Sequence, residues 1–185
     1  MPAGEELTHG FAAAGAEVEG PIVHVHPDEL VGLGAIGTRV AEMARAIGMT
    51  VLAFDRYVEP GSVPPGVRLV PTLEELLPRA DVLSLHCPLT KETTGLIGRD
   101  ALRLLPPGAI VINTARGPLV DEPALIDGIT GGHLAGAGLD TLVDEPPDAH
   151  APIRSISNII VTPHVGGNTG AALGAVASQA VDNAL

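Results

Sequence analysis

The sequence predicts an α/β protein built on a doubly wound parallel sheet, and three observations predict it. Short apolar segments alternate with amphipathic ones from about residue 30 onward. A glycine-spaced turn, Gly32-Leu33-Gly34-Ala35-Ile36-Gly37, opens the first amphipathic segment. Hydrophobic residues make up 45% of the 185, yet aromatic ones only 2%, so the core must be aliphatic. Ala, Val, Leu and Ile suit helices packed tightly on a sheet that is buried on both faces.

Residues 1–28 are rich in Gly, Ala, Pro and acids and show no sustained periodicity, so they are expected to form a poorly specified arm. Within them only Ile22-Val23-His24-Val25 has strand character. Residues 29–185 are expected to form one domain. Its first strand should be short or irregular, roughly residues 29–32. Pro27 cannot donate to a ladder, and Asp28 and Glu29 would be buried unpaired in a central strand. Val40, Met43, Ala44 and Ile47 form a helical stripe over 38–47, which Gly48 stops. Residues 50–55 read as a strand ending in an acid, and 67–70 as a short strand. Thr72 and Glu75 make a capping box for a helix that ends near Pro78.

Residues 81–85 read as the next strand, 100–105 as helix, 109–112 as strand and 122–129 as helix. Further strands are expected over 134–139 and 159–161, with a final helix over 170–184. The turn-rich stretch 144–158 reads as a loop at the sheet's edge.

Bulk properties exclude several function classes. The formal net charge of −12 repels nucleic-acid phosphates and anionic lipid, so neither partner is expected. One cysteine, Cys87, permits no intrachain disulfide and fits a reducing compartment. No signal-peptide pattern or membrane-length apolar run is present, so a cytoplasmic protein is expected. His24 and His26 do not make a metal site without further ligands, and none is expected. His9, His133 and His150 read as solvated.

The chemistry-bearing residues fall where expected strands end. In GLGAIG, Gly32 allows a tight turn, Gly34 lets the backbone approach a pyrophosphate, and Gly37 lets helix and strand pack closely. Asp55 ends the following strand, where a carboxylate accepts from adenine-ribose hydroxyls and repels a 2′-phosphate. That favours NAD over NADP, although Arg56 softens the preference. Asn113-Thr114-Ala115-Arg116-Gly117 delivers an arginine, whose planar fork suits a carboxylate. Leu139-Asp140 and, beyond it, Glu145-Pro146 follow another strand, and Thr162-Pro163-His164 follows the last. A carboxylate bonded to an imidazole fixes its tautomer and favours the imidazolium. Singly, Glu145 and His164 read as solvated loop residues. At one sheet edge with Arg116, they read as a site.

In this order GLGAIG…FD, LHCPLTKETTGLIG, NTARG, GLDTLVDEP and TPHVGGNT resemble the NAD-binding, Rossmann-type domain of the D-isomer-specific 2-hydroxyacid dehydrogenases, the phosphoglycerate dehydrogenase type included. The likeness runs from about residue 30 to 175. It implies that Arg116 binds the substrate carboxylate, that His164 is the acid–base, and that Glu145 pairs with it. It implies that Ala35 and Ile36 lie on the pyrophosphate and that Cys87 and Pro88 flank the adenosine. Thr114, Ala115, Gly166 and Gly167 are then expected near the nicotinamide ribose, and Asp140 at the nicotinamide carboxamide. The implied substrate is a small 2-hydroxy or 2-oxo acid, and the implied assembly is a homodimer through this domain.

The chain departs from the family in three places. Ala35 stands where an arginine is frequent, and the lead-in strand is disrupted. Residues 1–31 alone precede GLGAIG, so the substrate domain is expected to be largely absent. Three readings follow. One is a dehydrogenase with this chain as its cofactor domain. The second is an NAD-binding module with little turnover, acting through protein–protein contacts if at all. The third is a purely structural fragment, with neither cofactor binding nor a cooperative thermal transition.

Overall fold

A computed structural model of the chain describes residues 22–26, 34–58 and 60–182. Among these described residues, seven strands form one sheet: β1 (Ile22–His26), β2 (Val51–Asp55), β3 (Val67–Leu69), β4 (Val82–Leu85), β5 (Ile110–Asn113), β6 (Gly136–Leu139) and β7 (Ile159–Val161). Their order is β3-β2-β1-β4-β5-β6-β7, and every pairing is parallel. Strand order reverses between β1 and β4, which makes the crevice beyond their carboxyl ends the expected ligand position. The helices are α1 (Ala35–Ala46), α2 (Leu73–Leu76), α3 (Arg99–Leu104), α4 (Glu122–Thr130) and α5 (Gly170–Asp182).

One expectation is corrected. The strand paired between β2 and β4 is Ile22–His26, inside the stretch assigned to the arm. The stretch 29–32, where the lead-in strand was expected, lies outside the described residues, as does Gly32. β-Branched residues explain the choice: Ile22, Val23 and Val25 suit a pleated ladder, and the register ends at His26↔Asp55, just before Pro27 withholds its N–H.

Local chemistry sets the other boundaries. The buried face of α1 is Gly37, Ala41 and Ala44, residues small enough to bring the helix close to Val51. The helix begins at Ala35, with Gly34 as its N-cap, earlier than the expected residue 38. It ends in a Schellman arrangement, with Gly48 at φ +91° and N–H bonds from Gly48 to Arg45 O and from Met49 to Ala44 O, both 3.0 Å. Thr72 caps α2 by accepting from the Glu75 N–H at 3.2 Å. Asp121 does the same for α4 from the Ala124 N–H at 3.0 Å. Leu52, Leu83, Leu85 and Val111 fill the sheet's interior, packed against Leu76, Leu102 and Leu125 from the helices. Each such side chain stabilises the fold by roughly 1.5–3 kcal/mol on transfer from water. His133, expected to be solvated, is half-buried, and its Nε2 lies 3.2 Å from Leu102 O. The loop joining α4 to β6 carries it back over α3.

Candidate active site

Because all seven strands run the same way, every strand-end motif emerges at one edge of the sheet. Arg116 follows β5, Asp140 and Glu145 follow β6, and His164 follows β7, on three neighbouring strands.

Asn113, buried at the end of β5, shapes the first loop. Its Oδ1 accepts from the Ala115 N–H at 3.1 Å, and its Nδ2 donates to Arg116 O at 2.8 Å. This Asx-type turn sends the Arg116 side chain into solvent. The guanidinium Nη1 rests on the Ala115 carbonyl at 2.6 Å. Among the described residues, it is not bonded to Glu145 or His164.

Glu145 and His164 do meet. Glu145 Oε2 lies 2.8 Å from His164 Nδ1, and Oε1 accepts from the Leu142 N–H at 2.8 Å. An ionised carboxylate only accepts, so Nδ1 carries the proton and Nε2 is left to exchange one. The His164 bond, then the Leu142 N–H, hold the Glu145 carboxyl below its ordinary value. A cavity of about 750 Å³ opens beside the pair, lined also by Leu142, Ile153 and Val161.

Asp140 is buried just after β6, beside the loop that carries His164. Its Oδ1 accepts from the Thr162 hydroxyl and from the Val165 N–H (2.9 Å), and its Oδ2 from the Gly166 N–H (2.8 Å). Its side chain therefore holds the histidine loop. Burial pushes its pKa up, but these donors and the His164 charge outweigh that and bring it below the ordinary value. His164 has a φ of +53°, left-handed backbone that costs a non-glycine residue roughly 1–2 kcal/mol.

The two lowered carboxyls make stability depend on pH. Both are harder to protonate in the folded chain than in the unfolded one. Their contribution is therefore present above the ordinary carboxyl range and lost as pH falls through the lowered folded values. The urea midpoint is expected to hold down to about pH 5 and to fall below about pH 4. The fall should be shallower in Asp140→Asn. Equal slopes for the two proteins would contradict the assignment.

At the other end of the crevice, Gly34 caps α1 with no side chain, and the first turn of α1 holds no acidic residue. Ala35 and Ile36 are exposed and Gly37 is buried. Bare N–H groups at a helix N-terminus suit an anion. Asp55 is fixed at the end of β2, its Oδ1 accepting from the Tyr57 and Val58 N–H groups at 2.9 and 3.1 Å. These residues fit a dinucleotide. Cys87 is buried after β4, and burial pushes its thiol up to about 12, which makes it a packing residue and a poor nucleophile. Pro88, Thr114, Gly166 and Gly167 are exposed at the same edge, and Ala115 is half-buried.

Sequence reasoning missed three residues. Asn113 carried a usable signal, since an Asx residue at a strand end forms such turns. Thr162 and Gly117 carried none, because their partners Asp140 and Leu142 are distant in the chain.

The family described as D-isomer specific 2-hydroxyacid dehydrogenase, NAD binding domain, matches residues 23–166. D-3-phosphoglycerate dehydrogenase of Mycobacterium tuberculosis is 46% identical over 157 residues, covering 84% of this chain and 28% of the relative. Glycerate dehydrogenase of Methylorubrum extorquens is 42% identical over 161 residues, covering 83% and 47%. A D-isomer specific 2-hydroxyacid dehydrogenase of Xanthobacter autotrophicus Py2, solved with NADPH and MES, superposes with a TM-score of 0.69 at 33% identity, covering 83% of this chain and 47% of that one. The chain thus spans between about a quarter and a half of these proteins.

Proposed function

Because the chain belongs to the D-isomer specific 2-hydroxyacid dehydrogenases, which it matches through their NAD-binding domain, we propose that the protein catalyses hydride transfer between NAD and C2 of a 2-hydroxy or 2-oxo acid. The observation that carries this reading is the 2.8 Å contact between His164 Nδ1 and Glu145 Oε2, one strand from the Arg116 loop.

The chain's residues divide the work. NAD, when bound, accepts or supplies the hydride. His164 Nε2 takes the proton of the substrate hydroxyl in oxidation and returns it in reduction. Glu145 keeps the ring in the tautomer that leaves Nε2 outward. Arg116 leaves the Ala115 carbonyl for the substrate carboxylate, and its fork orients C2. Gly34, Ala35, Ile36 and Gly37 receive the pyrophosphate, and Asp55 the ribose. Cys87 and Pro88 line the adenosine side. Thr114, Ala115, Asp140, Gly166 and Gly167 border the nicotinamide side. A homodimer through this domain and a cytoplasmic location belong to the same proposal. Among the described residues no helix is long and apolar enough to cross a membrane.

The test is NADH oxidation with a panel of 2-oxo acids: glyoxylate, pyruvate and phosphohydroxypyruvate. Loss of NADH absorbance with one of them is the expected result. Calorimetric NADH binding without turnover on any of them would favour a binding module instead.

A further inference from the structure

Among the described residues, His164 is the one non-glycine residue with positive φ. Such backbone persists where its surroundings over-determine it. Three donors of its own loop converge on the carboxylate of Asp140, and they lie on both sides of His164 in the chain. The Thr162 hydroxyl comes from before it, and the Val165 and Gly166 N–H groups from after it. The acceptor is itself anchored: Asp140 is buried, and its N–H donates to Asn113 O at 3.0 Å. Gly166 must stay bare for this approach, since a Cβ there would lie 2.9 Å from Asp140 Oδ2.

We propose that Thr162 is a positioning residue: its hydroxyl, bound to Asp140, clamps the loop 162–166 so that His164 keeps Nδ1 on Glu145 and presents Nε2 outward. The two N–H donors secure only the segment after His164. The segment before it is otherwise tied by the Thr162 N–H to Leu139 O and, within the loop, by the His164 N–H to Thr162 O, both 2.9 Å, and neither bond reaches Asp140. The hydroxyl closes that side. The clamp's effect on turnover rests on the dehydrogenase reading, whereas its effect on the loop does not.

The experiment compares Thr162→Val, which removes the donor at nearly constant volume, with Thr162→Ser, which keeps it, each as the full chain with NADH. Amide exchange of Val165 and Gly166, and the ring nitrogen shifts of His164, report the loop by NMR. In Thr162→Val both amides should exchange at least about tenfold faster, because a local opening has become easier. The His164 ring shifts should move, and kcat should fall at least about tenfold with little change in KM, as expected for a misplaced proton donor. Thr162→Ser should restore all three. Should the valine chain fail to fold, Thr162→Ala removes the same donor without the added methyl. Unchanged exchange and unchanged ring shifts on loss of the hydroxyl would overturn the clamp, as would failure of serine to restore them. A wild-type protein that binds NADH yet reduces no 2-oxo acid would sink the dehydrogenase reading alone. The NMR measurements would still decide the clamp.

Discussion

Replacing His164 by alanine is expected to lower kcat for 2-oxo acid reduction by about 10²- to 10⁴-fold, the usual contribution of a positioned acid–base, with NADH affinity nearly unchanged. The geometry explains the size of the effect. His164 Nδ1 is committed to Glu145, so Nε2 is the ring atom left for the substrate oxygen. Glu145→Gln should lower kcat less, because a carboxamide oxygen can still accept from Nδ1 but no longer offsets a charge on the ring. The measurement is steady-state kinetics beside calorimetric NADH binding. An undiminished kcat in His164→Ala would remove this residue from the chemistry.

Gly117→Ala is expected to damage both stability and turnover. A Cβ at Gly117 would lie 2.0 Å from Leu142 C and O and 2.5 Å from Val143 N. No flexible side chain is there to yield. The Leu142 N–H is bonded to Glu145 and the Val143 N–H to Glu122 Oε2 at 3.4 Å, so retreat of that backbone would drag Glu145 with it. Overpacking of this kind costs about 1–3 kcal/mol, and more where backbone must move. A shift of about 1 Å in Arg116 or Glu145 would cost on the order of 100-fold in rate. Gly167→Ala is the control for stability. Nothing lies within 4 Å of a Cβ there, so its urea midpoint should stay near the wild-type value. A Gly117→Ala chain as stable as Gly167→Ala would show that the 116–119 turn and the 142–143 peptide are not packed as described.

How far the fold was legible depended on the element. Strands β2, β4, β5 and β7 stood out because each is a short apolar run bounded by turn residues, and their observed ends differ from the expected ones by a residue or so. α1 was legible from Gly48, although of the expected stripe Ala44 is buried and Val40 half-buried, whereas Met43 and Ile47 are exposed. Its start at Ala35 was not legible. The reason is that Gly34 caps α1 through backbone alone, without a side-chain signal. β1 was misplaced because Leu30 and Val31 adjoin the glycine turn, whereas pairing partners on both sides select Ile22–His26. A central strand is chosen by its neighbours as much as by its own residues.

The candidate site divides in the same way. Arg116, Glu145 and His164 could be singled out from residue type and position at strand ends. Parallel topology then requires that they emerge at one edge. Sequence alone therefore determined the fold class, the family and the residue types that gather there. Tertiary structure decided which groups touch. It joined His164 to Glu145, left Arg116 on the Ala115 carbonyl, and turned Asp140 onto Thr162, Val165 and Gly166. The contacts of His164 and Asp140 join residues 19 to 26 positions apart, brought together only when β6 and β7 pair. Periodicity and turn chemistry act over a few residues, so they place strand ends. A hydrogen bond between two loops needs the whole sheet behind it.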